Sequence, residues 1–407
     1  MIKISRNFCL VLAVLMIVSL FSACGKTPVD DTRPIETTLP AVETVPTEEV
    51  DPFEQEKAEY EAMSAQQLME KYVADPANIT VEEYCALIAT YAFVPVTEEG
   101  EFEYENKTKE ALSLVKDAGG KIPSSLDETV SAIMLAHPYP NARAYYYRSL
   151  INSFAGVDTP TYNGLLAQYR NETDPFVIGS MIYGISKSLG NDAGFCEYAL
   201  SLVDREEGLI RYNVAYQLSR LEAADREILV AAGLKLMADP DTAVREAAMG
   251  SCGTIADDRF VEPLDAVLKD MDQISSHPAA GKAMVRMWYH GNLSEAAYKA
   301  TLEYFKAEST NPDYPYWPVV NEMTTKTGSL YDAWRAEASY FNVNEVVEIM
   351  VQLVLDAETV HLTKTSAIKV IAAHGTADDL NALKATLESM TGMEKYIEEI
   401  DKQLEKM

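Results

Sequence analysis

The sequence predicts an all-α protein, an α-solenoid of stacked helix pairs behind a disordered N-terminal tether. Three observations carry that prediction. After Pro52 the apolar residues of the 407-residue chain recur at spacings of three and four, with few alternating β-branched runs that would make strands. The stretch Ala238–Leu264, ADPDTAVREAAMGSCGTIADDRFVEPL, reads as a helix, a turn and a second helix. Related stretches come back at multiples of 34 residues, as a stack of like units requires.

Residues 1–23 have the three parts of a secretory signal: a basic start, MIKISRNF, an apolar run, CLVLAVLMIVSLF, and the small pair Ser22-Ala23 before Cys24. The run is too short and wrongly flanked to make a good spanning helix. Phe21–Cys24, FSAC, resembles the lipobox of bacterial lipoproteins, in which the cysteine becomes the lipidated first residue after cleavage. Ser22 and Ala23 fit that pattern, while Phe21 stands where leucine is commonest. The resemblance implies lipid on Cys24 and an extracytoplasmic protein anchored to a bacterial membrane. The competing reading is an ordinary signal peptide with an incidental cysteine.

Residues 24–52 are a lipidated cysteine followed by a Pro/Thr/acid-rich linker, with Pro28, Pro34, Pro40, Pro46 and Pro52 evenly spaced. Such a tract cannot bury enough surface to fold. Its reach lies between roughly 30 Å as a coil and roughly 85 Å as a polyproline II rod. The chain carries 63 acidic and 34 basic residues, a net charge of −29, which excludes nucleic acid as a natural partner and favours solubility or basic partners.

Residues 53–136 read as helices without the repeat signature (AQQLMEKYV, VEEYCALIATYAF, KEALSLVKDA, ETVSAIMLA) and suit an N-terminal cap. Residues 137–293 carry the repeats. In the reference copy Asp239-Pro240 is expected to open the first helix, the aspartate capping it. Ala243, Val244, Ala247, Ala248 and Cys252 make its apolar face, Ala256-Asp257-Asp258 the turn, and Phe260, Val261, Leu264, Val267 and Leu268 the second face. His137-Pro138 with Arg143 falls on Asp239-Pro240 with Arg245 three periods later, Ile210-Arg211 falls on Val244-Arg245, and Asp174-Pro175 opens another copy. VREAA, the DD turn and VEPL together resemble a HEAT repeat, of the armadillo-like class. That likeness implies helix pairs that bury their faces only by stacking. An irregular helical bundle is the alternative. Residues 294–407 add further helical pairs, with KTSAIKVIAAHGTADDLNAL a late copy and MEKYIEEIDKQLEKM a C-terminal cap.

No catalytic set, metal site or cofactor motif is expected. Ser113-Leu-Val-Lys116 and Ser366-Ala-Ile-Lys369 match S-x-x-K, and Lys326-Thr327-Gly328 matches K-T-G, but no strand is visible where that chemistry needs one. The five histidines lack metal-ligand spacing. Cys85, Cys196 and Cys252 are an odd number in apolar settings and read as inert buried thiols. The candidate binding residues are Tyr314, Tyr316 and Trp317, in the proline-held loop NPDYPYWPV at 311–319. The Tyr145–Tyr147 run is a weaker candidate, since at least one ring must face the core. The sequence thus predicts a non-enzymatic, membrane-anchored scaffold that binds a protein or peptide. The alternatives are a cell-envelope enzyme or glycan-binding protein using the aromatic loop, and a structural spacer.

Overall fold

The computed structural model describes residues 58–92, 107–125, 127–151, 164–165, 169–289, 291–308, 316–325 and 329–407, all within the unit Pro52–Met407. The signal, Cys24 and the tether lie outside the described residues. Among those residues no helix is long and apolar enough to cross a membrane.

The chain is all-α. Four helices, α1 (Ala65–Tyr72), α2 (Val81–Tyr91), α3 (Lys107–Asp117) and α4 (Glu128–Leu135), fall where the cap region is expected. Ser64 with Gln67 and Thr80 with Glu83 close reciprocal capping boxes on α1 and α2, satisfying backbone N–H groups that the first turn leaves open. α1 packs on α3, and α2 on α4 and on the first repeat helix.

In chain order there follow α5 (Pro140–Tyr145, continued by a π turn Tyr146–Leu150), α6 (Pro175–Leu189), α7 (Ala193–Ser201), α8 (Gly208–Gln217), α9 (Arg226–Met237), α10 (Thr242–Ile255), α11 (Val261–Lys269) and α12 (His277–Trp288). After them come α13 (Glu295–Glu308), α14 (Trp317–Glu322), α15 (Ser329–Glu337), α16 (Val343–Leu355), α17 (His361–His374), α18 (Ala377–Glu388) and α19 (Glu394–Leu404). One layer runs α5, α6, α8, α10, α12, α14, α17, α19, each helix packed on the next. In the other layer α7 meets α9, α11 meets α13, and α16 lies between α13 and α18. This is a solenoid-like arrangement of stacked pairs with one continuous apolar core, from Tyr60 to Ile400.

A recurring arginine fixes the register of the units. It stands four residues after the helix N-cap in α5, α8 and α10. Arg143 Nη1 donates to the carbonyls of His137 and Pro138, at 2.7 and 3.2 Å. Arg211 Nη1 does the same to Arg205 and Glu206, at 2.8 and 2.7 Å, and Arg245 Nη1 to Asp239 and Pro240, at 2.8 and 3.0 Å. Each guanidinium therefore staples the loop that leads into its own helix, supplying a donor to carbonyls that a tight corner leaves unpaired. In α6 the same position is the buried Ile178, and in α12 the buried Ala280.

The structure corrects the expected helix start. Asp241, not Asp239, caps α10, its side chain accepting from Ala243 N at 2.8 Å. Asp239 accepts instead from Asp241 N at 2.9 Å and from Arg211. His137 serves its loop likewise, Nδ1 accepting from Tyr139 N at 3.2 Å, so both X-Pro pairs lie just outside their helices. Asp174, which caps α6 with Pro175 in the first turn, therefore matches Asp241 and not Asp239. The inner face of α10 also differs from the expected one: Val244, Ala248 and Cys252 are buried as expected, Met249 joins them, Ala247 is half-buried and Ala243 is exposed. The small face still brings helices close. A Cβ at Gly253 would lie 2.7 Å from the Cα of Ala283 in α12, a distance only glycine tolerates.

Beyond α12 the stacking is held by an aromatic knot. Trp288, Tyr289, Trp334 and Phe341 pack at centroid distances of 4.9 to 6.2 Å. Trp288 Nε1 donates to Thr301 Oγ1 at 3.0 Å, while Trp334 Nε1 and Tyr340 OH both donate to the Trp288 carbonyl at 2.7 Å. Both indoles and the Tyr340 phenol thus keep a polar handle satisfied while they fill volume.

Candidate functional site

The described aromatic-loop residues part company. Tyr316 is 2% exposed, its ring 5.2 Å from Tyr304 and 5.7 Å from Phe305, because the residue before α14 turns inward to close the core over α13. Trp317, at the first position of α14, is 37% exposed. Tyr314 lies outside the described residues, as do the K-T-G stretch 326–328 and most of the loop 311–319. Ser113 and Ser366 sit within α3 and α17, Ser366 buried and Ser113 donating back to the Lys109 carbonyl at 2.9 Å.

A different aromatic surface lies on the α5–α6–α8 layer. Tyr212 and Tyr216 are one helical turn apart on α8 and share a face, while Ile210, Asn213 and Val214 point inward. Their rings stack at 6.1 Å, 18° from parallel. Tyr183 of α6 stacks on Tyr216 at 5.8 Å and 23°. The guanidinium carbon of Arg148, on the π turn that ends α5, lies 4.3 Å from the Tyr183 ring centre. Three successive helices of one layer thus build a continuous ladder, Arg148–Tyr183–Tyr216–Tyr212, held by cation–π and offset stacking contacts. Tyr216 is 48% exposed, and Leu209, one turn before Tyr212, is 43% exposed.

Burial pushes the Tyr212 and Tyr216 hydroxyls above their ordinary range, and the neighbouring phenols add to it. Arg148 opposes this at both rings, and Arg220 at Tyr216. At neutral pH the ladder presents neutral phenols that donate and accept, flanked by two permanent cations. The ladder is thus a partly exposed aromatic surface, with Tyr216 its most open ring. The ladder ends at α10. Ser251 Oγ donates to the carbonyls of Ala215 and Tyr216, at 2.7 and 3.1 Å, and the preceding Gly250 has open space where a side chain would stand.

Two further features are satisfied internally. An open depression lined by Arg226, Ile255–Asp258 and Gly291–Ser294 holds charged groups that answer one another: Arg226 pairs with Asp257, and Ser294 bonds Asp258. Of the Tyr145–Tyr147 run, Tyr146 and Tyr147 are buried. Cys85, Cys196 and Cys252 are free and buried, and burial pushes all three thiols up, Cys85 to about 12.

No family model matches the sequence, and no curated protein matches it.

Sequence reasoning passed over Tyr183, Tyr212 and Tyr216 because a lone tyrosine in an amphipathic helix reads as core. Their signal was the repeat itself. Tyr183 and Tyr216 stand 33 residues apart, close to one period, which places two rings side by side on neighbouring helices.

Proposed function

We propose that the protein is a lipid-anchored, extracytoplasmic HEAT-like repeat lipoprotein of the bacterial envelope, acting as a non-catalytic scaffold that binds a protein or peptide. The observation that carries this reading is the shared staple of Arg143, Arg211 and Arg245, which makes the helix pairs copies of one unit. Stacked units offer an extended surface, the usual working part of repeat proteins. The anchor rests on Phe21–Cys24 and on the acidic, proline-spaced tract that follows it. Crosslinking in intact cells followed by pull-down of the full-length chain tests the scaffold role. A discrete partner that depends on the folded repeats is expected, and no partner at any crosslinking position would overturn the reading. Substituting Cys24→Ala tests the anchor, with the protein expected to leave the membrane fraction.

The exposed Trp317 keeps one alternative concrete, a glycan-binding surface at the loop 311–319. Loss of glycan affinity on Trp317→Ala would favour it.

A further inference from the structure

The first turns of α17 and α19 meet around one ring. Tyr396, on α19, is 6% exposed. The Lys364 ammonium of α17 lies 5.7 Å from the centre of that ring, the Lys395 ammonium of α19 lies 5.0 Å from it, and the imidazole of His361 on α17 lies 5.4 Å from it. Both helices lack a side-chain cap, since the cap positions are held by Val360 and Met393. Each first turn therefore keeps backbone N–H groups that no side chain has claimed.

Lys364 is the member that a core would not choose. It is 3% exposed, yet its ammonium has neither an ion pair nor a hydrogen bond among the described residues. Asp356 attracts it from a distance, but that carboxylate is taken up by its own loop, accepting from Glu358 N at 3.1 Å and from Thr359 Oγ1 at 2.9 Å. Glu358 and Glu394 are exposed and pair with none of the three basic side chains. Burial pushes the Lys364 ammonium below its ordinary range; Asp356 opposes this and Lys395 adds to it. A buried cation without a counter-ion is unfavourable, and a cation in the first turn of a helix stands against the dipole. Both penalties turn into attraction once an anion joins the group. We propose that the first turns of α17 and α19, with Lys364, Lys395 and His361 around Tyr396, form a binding site for a phosphate ester. Donors drawn from three side chains and two helices suit tetrahedral oxygens better than the flat fork of a carboxylate. Acidic residues outnumber basic ones 63 to 34 in this chain, and still none of the described ones pairs with these ammoniums. Val360 and Leu362, 38% and 55% exposed, border the same turn, so the ester can belong to a lipid headgroup as well as to a water-soluble glycerol phosphate.

Isothermal titration calorimetry of the full-length chain at low salt tests this, with glycerol 3-phosphate, dihexanoyl phosphatidylglycerol below its micelle concentration, and acetate at matched ionic strength. Glycerol 3-phosphate is expected to bind and acetate is not. Lys364→Met should weaken binding about tenfold or more, while the melting midpoint of the ligand-free protein stays level or rises, because an apolar side chain of similar length replaces a buried charge. Lys395→Ala, at an exposed position, should weaken binding about two- to fivefold with the fold intact. A preference for the diacyl compound that Leu362→Ser removes assigns the phosphate to a lipid headgroup, and equal binding of the two esters assigns it to a soluble one. Acetate binding as tightly as the esters, no binding of either ester, or binding undiminished in both lysine variants would overturn the inference.

Discussion

Arg211 of α8 grips Asp239 of the loop before α10 through two parallel hydrogen bonds, Nε to Oδ2 at 2.7 Å and Nη2 to Oδ1 at 3.1 Å. Arg143 of α5 grips Glu172 before α6 in the same way, at 2.8 and 3.0 Å. One guanidinium therefore serves two purposes. Its Nη1 fixes the loop of its own unit, and its fork fixes the loop of a neighbour. Planar bidentate pairing of this kind is what arginine does and lysine does not.

Removing Arg211 should be costly out of proportion to its place in the sequence. The Asp239 side chain is only 7% exposed, and Arg211→Ala takes the arginine fork from its carboxylate, which keeps the Asp241 N–H, and the Nη1 donor from two loop carbonyls. A loss of about 2–4 kcal/mol is expected, read from urea unfolding followed by circular dichroism. Arg211→Lys should recover a minor part. Equal stability of wild type and Arg211→Ala would show that the fork is ornamental.

The same carboxylates make the fold acid-sensitive. Burial pushes Glu172 and Asp239 up, but their arginine and backbone N–H hydrogen bonds outweigh it, so both sit below their ordinary values of 4.5 and 3.8. Asp257, hydrogen-bonded by Arg259, is lowered to about 2. Groups whose pKa is depressed on folding contribute stability that is complete above their unfolded pKa and is lost as pH falls through the folded one. Urea midpoints should hold steady down to about pH 5 and then fall toward pH 2. Glu172→Gln should flatten part of that slope.

Two glycines of α10, three residues apart, should respond with opposite signs. Gly253→Ala drives a methyl group into the Ala283 backbone, whose Cα and carbonyl oxygen would lie at 2.7 and 2.8 Å, and is expected to destabilise by ~1–3 kcal/mol. Gly250→Ala meets only open space and should stabilise by about 0.5–1 kcal/mol through helix propensity. Ala256, at the helix end with φ 54°, favours the reverse change, and Ala256→Gly should add about 1 kcal/mol. Thermal melts of the three variants rank them directly.

The thiols should be silent in the folded protein. Cys252 is fully buried, and Cys196 donates to the Gly190 carbonyl at 3.1 Å. Alkylation mapped by mass spectrometry should label Cys85, Cys196 and Cys252 about a hundredfold more slowly in the native state than in urea. Rapid native labelling of any one would mean a reactive role that its surroundings do not suggest.

The sequence carried the repeat because the staple constrains it. A corner with two carbonyls to satisfy needs a long donor at a fixed distance, so Arg143, Arg211 and Arg245 return in register. The capping residue was misplaced because Asp239 and Asp241 are both competent caps, and only the fork from Arg211, 28 residues away, decides between them. Tyr316 could not be placed in advance, since a residue held between prolines can turn either way and the choice depends on Tyr304 and Phe305. The tyrosine ladder is a property of two helices at once, and neither helix announces it alone.

The forks also divide the stack mechanically. Joints α5–α6 and α8–α10 are clamped by a charged pair. Joint α6–α8 carries Ile178 where the arginine would be, and at α10–α12 the buried Arg245 Nε finds no acceptor among the described residues. Joints with and without a charged fork therefore alternate from α5 to α12. Tyr183 and Tyr216 stack across α6–α8, a joint that lacks the fork, so their rings take part in the close packing that holds these two helices together.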